Sequence, residues 1–92
     1  MKAVFTPAAL ADLDDILSYT ARHFPQQVKP LERRVRQTIE RLEIWPLNAR
    51  ELANSAGVRV VPLLRYPFKI FYRIENDSIA ILHVYHTARR TF

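Results

Sequence analysis

Cysteine is absent from the 92 residues, which excludes both a disulfide framework and thiolate chemistry. No apolar run approaches the roughly 20 residues of a membrane-spanning helix, and the N-terminus lacks the apolar segment of a signal peptide. The expectation is a cytoplasmic protein without membrane contact. Repeats, low-complexity tracts and linkers are missing too, so residues 1–92 read as one domain. A chain of this length buries roughly two thirds of its unfolded surface, enough for one modest core. The serines Ser18, Ser55 and Ser78 stand in no nucleophile elbow or triad context. After residue 52 the only carboxylates are Glu75 and Asp77, both at one turn, so that half offers no acid–base pair in a cleft.

What the chain does contain is centred on YPFKIFYRIENDSIAILHVYH, Tyr66 to His86. Phe68, Ile70, Tyr72 and Ile74 alternate with Lys69, Phe71, Arg73 and Glu75, the period of a strand. Asn76-Asp77 is turn chemistry, and a second β-rich run follows from Ser78 to Tyr85. The expected hairpin sets Ile74 opposite Ile79, Tyr72 opposite Ile81, Ile70 opposite His83 and Phe68 opposite Tyr85. Those pairs form the apolar core side, with His83 hydrogen-bonded inside it. Arg73 with Ala80, Phe71 with Leu82 and Lys69 with Val84 fall on the other side. Cations mixed with apolar groups there point to a face kept for a partner.

Around this hairpin the chain reads as a strand, two helices and a third hairpin strand. Lys2 to Phe5 is a short strand, and Thr6-Pro7 caps and opens a helix. Leu10, Leu13, Leu17, Ala21 and Phe24 are its apolar stripe; Asp12, Asp14 and Asp15 read as a solvated acidic face. Phe24-Pro25 breaks this helix. The second begins around Gln26, accommodates Pro30 if its start is Gln27 or later, and buries Val28, Leu31, Val35, Ile39 and Leu42. Its Arg33, Arg34, Arg36 and Arg41 read as a salt-bridged outer face, with Glu32/Arg36 and Arg36/Glu40 as helical neighbours. Trp45-Pro46 ends it, Gly57 supplies a positive-φ turn, and Val58 to Leu63 is a strand that Pro62 assigns to a sheet edge. The fold class is α+β: an N-terminal strand, a helical hairpin, then a three-stranded antiparallel meander, in two layers.

Charge is unevenly placed. Residues 1–52 hold eight Lys/Arg against seven Asp/Glu and residues 53–92 six against two, so the second part carries +4 of the net +5. A basic, solvated surface accounts for charge alone; charge set on an apolar sheet face points to an acidic partner, nucleic acid or protein. His83 and His86 do not make a metal site, because a spacing of three along a strand sends their rings to opposite faces and no thiol or carboxylate completes the set. No metal or cofactor is expected. The remaining set is cationic and aromatic: Arg65, Lys69, Arg73, His86, Arg89 and Arg90, near Tyr66, Phe71 and Tyr85. It could bind phosphate and stabilise the charged intermediate of RNA transesterification, or dock an acidic peptide.

The order of elements, the FKIFYRIE strand, the ILHVYHTARR segment and the opening TPAALADLDDILSYTARHFP together resemble the ParE branch of the RelE/ParE toxin superfamily, over essentially the whole chain. The strand ending in His86-Thr87-Ala88-Arg89 matches that branch's His-x-x-Arg ending. The resemblance implies the RelE/ParE-like two-layer fold and a plasmid-stabilising toxin of a type II toxin–antitoxin module. It implies inhibition of DNA gyrase, neutralisation by a cognate acidic, ParD-like antitoxin, and nucleic acid met only indirectly. Phe71, Leu82, Lys69, Arg73, His86, Arg89 and Arg90 are then the partner-binding residues, with an amphipathic antitoxin segment laid over the helical hairpin and the open sheet face. The alternative is a RelE-like, ribosome-dependent mRNA interferase, in which Lys69, Arg73, His86 and Arg89 act on the scissile phosphate. RelE-like members often carry a C-terminal tyrosine, and this chain ends Arg90-Thr91-Phe92 instead.

Overall fold

In the computed structural model, which describes residues 1–89, Thr6 caps the first helix as its chemistry requires. Its hydroxyl oxygen accepts from the Ala9 amide at 3.2 Å, and Pro7 occupies the first helical position. The elements are β1 (Lys2–Phe5), α1 (Pro7–His23), α2 (Val28–Ile44), β2 (Arg50–Glu51), β3 (Val58–Pro62), β4 (Phe68–Glu75) and β5 (Ser78–His86), with a single 3₁₀ turn, Pro25–Gln27, between the helices. One sheet holds the strands in the order β1-β5-β4-β3-β2, with β1 parallel to β5 and the other pairs antiparallel. The α+β reading, with a helical hairpin on one sheet face, is the observed fold. The sheet extends the meander at both edges.

β2 escapes the sequence reading because two exposed residues, Arg50 and Glu51, carry no alternation to detect. It covers β3 at Arg59 and Val60, so β3 is an outer strand only at its far end. Pro62, which has no N–H to donate, lies just past the covered stretch. Gly57 sits at φ +79°, as its place in the turn requires. Arg65, in the β3–β4 connection, is also left-handed at φ 73°.

The helices differ from expectation on α1. Ala9 and Thr20 are buried, with Leu13, Ile16 and Leu17 packed beside them, whereas Leu10 (55% exposed) and Phe24 (56% exposed) lie on the surface. Ala21 is exposed as well. The helix is rotated so that small Ala9 faces the sheet and Thr20 satisfies its hydroxyl on the Ile16 carbonyl at 2.7 Å. Two anchors fix that rotation. Thr6 donates from its amide (3.0 Å) and hydroxyl (2.8 Å) to the Ile81 carbonyl, and Asp12 reaches the edge of β5. On α2 the expected Leu31, Val35 and Leu42 are buried and Ile39 packs against them. Among the described residues, the ion pairs are Arg59–Glu51, Arg73–Glu75 and His83–Asp12, so the arginines of α2 form no salt-bridged face.

The main core lies between helices and sheet and includes Ala9, Leu31, Leu63, Ile70, Tyr72, Ile79, Ile81 and Val84. A second, smaller cluster sits on the opposite sheet face: Val58, Val60, Phe71 and Tyr85, with Leu52 and Leu82 packed against it. The hairpin register explains both. Ile74 faces Ile79, Arg73 faces Ala80 and Tyr72 faces Ile81, as the Asn76-Asp77 turn dictates. A β-bulge follows: Phe71 pairs with His83, Ile70 with Val84, Lys69 with Tyr85 and Phe68 with His86. One extra residue, Leu82, flips every later side chain of β5 to the other face. Val84 therefore enters the main core at 3% exposure, and His83 and Tyr85 leave it, reversing the faces read from the sequence.

Candidate interaction surface at the end of β5

β5 ends in a tight, self-bonded turn. The Arg89 amide donates to the His86 carbonyl at 3.0 Å, and the Ala88 amide donates to His86 Nδ1 at 3.0 Å. The Thr87 amide ties this turn to the Pro67 carbonyl at 2.8 Å, and Lys69 Nζ holds the Arg89 carbonyl at 2.8 Å. The His-x-x-Arg segment is thus a built structure, with donors on its carbonyls and its own histidine as acceptor.

Its side chains point in two directions. Arg89 lays its guanidinium over the Tyr85 ring, 3.9 Å from the centroid, while Lys69 Nζ lies 5.5 Å from the centroid of Phe71. Both cations therefore sit on the face of the smaller cluster, over aromatic rings that favour them. Tyr85 meets Phe71 edge-on at 5.4 Å and His83 at 4.6 Å. His86 turns to the other face, edge-on to Phe68 at 5.7 Å. There it borders a cleft of about 480 Å³ walled by Tyr19, Phe24, Leu31 and Phe68.

Lys69, Arg73, His86 and Arg89 are consequently not one cluster. Lys69 and Arg89 meet at the end of β5. Arg73, four residues along β4, has its Cα roughly 13 Å from that of Lys69 at about 3.3 Å per residue. It faces Glu75 at 3.8 Å in an exposed pair, which contributes little to stability. His86 occupies the opposite side of the sheet. Phe71 is 3% exposed within its own chain, so the open apolar face expected at that position is already filled; Leu82 is half-buried. Arg90 lies outside the described residues.

His83 is not a core histidine. Its Nδ1 lies 2.8 Å from Asp12 Oδ2, and the same oxygen accepts the Val84 amide at 3.1 Å. Asp12, read from the sequence as a solvated acid, is the residue that reading missed. A contact spanning 71 residues leaves no local signal. The loops at the other end of the sheet are pinned by Tyr72, whose hydroxyl donates to the Pro46 carbonyl at 2.7 Å, and by Arg59, which donates to the Ala49 carbonyl at 2.7 Å.

Comparison with known proteins supplies what geometry alone does not. The family model described as the ParE toxin of the type II toxin–antitoxin system, parDE, matches residues 3–91. Among solved structures, the chain is similar to one from the chromosomal ParDE TA system of P. aeruginosa, with a TM-score of 0.80 and 25% identity over 94% of this chain and 95% of that one. A YoeB/ParE toxin from Agrobacterium tumefaciens shares the fold, with a TM-score of 0.62 and 14% identity over 94% and 98% of the two chains. No curated protein matches the chain by sequence.

Proposed function

The chain belongs to the ParE toxin family of type II toxin–antitoxin systems, and from that premise we propose that it inhibits DNA gyrase by docking, not by cutting RNA. A cognate acidic, ParD-like antitoxin neutralises it. The observation that carries the choice is the split of the cations. Phosphoryl-transfer chemistry needs charge-stabilising donors aimed at one developing charge from about 3 Å. Lys69 and Arg89 share one face, His86 lies on the other, and Arg73 is displaced along β4 and faces Glu75. Such an arrangement suits a contact surface, where each group meets a different part of a large partner.

In this reading Arg89 and Lys69 present positive charge from a pre-ordered turn, so little side-chain freedom is lost on binding. Arg73 and His86 add contact at the rim, and half-buried Leu82 offers apolar area at the centre. The basic second half, at +4 of the total +5, draws an acidic antitoxin to the same region. Expression without antitoxin tests the proposal. Growth arrest with SOS induction and DNA breaks is the expected result; arrest with cleaved messages and intact DNA overturns it.

A further inference from the structure

We propose that Asp12 is the positioning residue of the toxin's working end: its carboxylate selects the bulged register of β5 and thereby places Tyr85 and Arg89. The proposal rests on the docking reading above, because that reading makes the end of β5 the working surface.

Two registers compete for this strand. Both keep Ile74 opposite Ile79 and Tyr72 opposite Ile81, the pairs nearest the turn. A regular ladder would continue with Ile70 opposite His83 and Phe68 opposite Tyr85, which sends both polar rings under the helices. The observed ladder inserts Leu82 and pairs Ile70 with Val84. Apolar patterning alone does not decide between them, since each puts a plausible set of rings and aliphatic groups inside.

The outer edge of β5 decides. β1 accompanies β5 only as far as Phe5 opposite Ile81. The Ile81 carbonyl points to that edge, where Thr6 takes it. Because amide direction alternates along a strand, a regular ladder would aim the Val84 N–H inward at β4. The bulge turns it outward, beyond the end of β1, where it needs an acceptor. Asp12 Oδ2 is that acceptor at 3.1 Å, and it also holds His83 Nδ1 at 2.8 Å. The Leu82 carbonyl, 3.2 Å from the Thr6 hydroxyl, faces outward as well. In the regular register the outward N–H past the end of β1 would be that of His83, one position short of Val84, and the His83 ring would turn under the helices. The paired contacts of Asp12 to the Val84 amide and the His83 ring belong to the bulged register, and that register puts Tyr85 where Arg89 stacks on it at 3.9 Å and Lys69 pairs across from it.

The experiment compares Asp12→Ala and Asp12→Asn with the unmodified chain by NMR and by gyrase supercoiling inhibition. In Asp12→Ala, amide exchange at Val84 should quicken about tenfold or more relative to Ile79, the loss expected for one hydrogen bond to a charged group. Contacts of Phe71 should spread from His83 to Leu82, and inhibition should fall by a similar factor. Asp12→Asn keeps an oxygen for the Val84 amide and should retain the register and most of the inhibition. The same oxygen faces the Val84 amide and His83 Nδ1, so only the charge is lost, and Val84 exchange should quicken by a smaller factor, roughly threefold to tenfold. Should Asp12→Ala fail to fold, that smaller quickening in Asp12→Asn carries the test. Unaltered Val84 exchange and Phe71–His83 contacts in Asp12→Ala, or unaltered Val84 exchange in Asp12→Asn, overturn the proposal. If the unmodified chain leaves gyrase untouched, the docking reading falls, while exchange and contacts still decide whether Asp12 sets the register.

Discussion

Tyr72→Phe tests how the sheet holds the loop after α2. Tyr72 is completely buried, and its hydroxyl donates to the Pro46 carbonyl at 2.7 Å. Burial raises its pKa from the ordinary 10.0, against a smaller opposing pull from the Arg59 charge. The folded protein therefore keeps this proton more tightly than the unfolded chain does. By linkage, the contribution is fully present below about pH 10 and is lost as pH rises through the folded value. Removing the hydroxyl costs the net worth of the bond, about 0.5–1.5 kcal/mol at neutral pH, with the upper end favoured if the Pro46 carbonyl finds no water. For a domain of this size about 1 kcal/mol corresponds to a Tm lower by roughly 4–8 °C. Calorimetry or urea unfolding at pH 7 and about pH 11 measures the gap between the two proteins. The two proteins differ only in this hydroxyl, so the difference isolates Tyr72. The gap should narrow or reverse at high pH; a gap that is constant across pH refutes the reasoning.

Thr6→Ala removes the cap on Ala9 and the bond to the Ile81 carbonyl together, and should cost about 1–2 kcal/mol in urea unfolding, with Thr6→Ser recovering most of it. Arg65→Gly should raise stability by roughly 0.5–1 kcal/mol, the left-handed strain relieved at φ 73° less the greater chain entropy of glycine; an unchanged or lower melting temperature argues against strain there. Phe71→Ala should destabilise the isolated chain by about 3–5 kcal/mol, because Phe71 belongs to the smaller core, whereas half-buried Leu82→Ala should cost clearly less; equal and small losses would mean that the second cluster is not a core.

The residues that state their structure locally were legible. Thr6-Pro7, Asn76-Asp77, Gly57 and the α2 stripe each depend on chemistry within a few positions, and the α+β order followed from them. The faces of β5 were not legible, since a bulge leaves the pattern of residue types almost unchanged while moving Val84 into the core and Tyr85 out of it. The rotation of α1 was misread for a related reason. Leu10 and Phe24 satisfy helical spacing as well as Ala9 and Thr20 do, and only the bonds from Thr6 and Asp12 to β5 choose between them. The candidate site was half visible: Lys69 and Arg89 do meet, but the face of His86 follows from the same bulge.

We propose that this toxin acts by contact at the end of β5. Purified gyrase supercoiling assays with the unmodified chain and with Lys69→Ala, His86→Ala and Arg89→Ala address it directly, run beside a ribosome-dependent RNA cleavage assay. Inhibition by the unmodified chain should erode in steps, by about 0.2–1 kcal/mol for a rim charge and more than about 2 kcal/mol if Arg89 is a hot spot, with no RNA cleavage by any of the proteins. Robust cleavage by the unmodified chain, lost about 10²–10³-fold in a single variant while ribosome binding survives, would contradict the account.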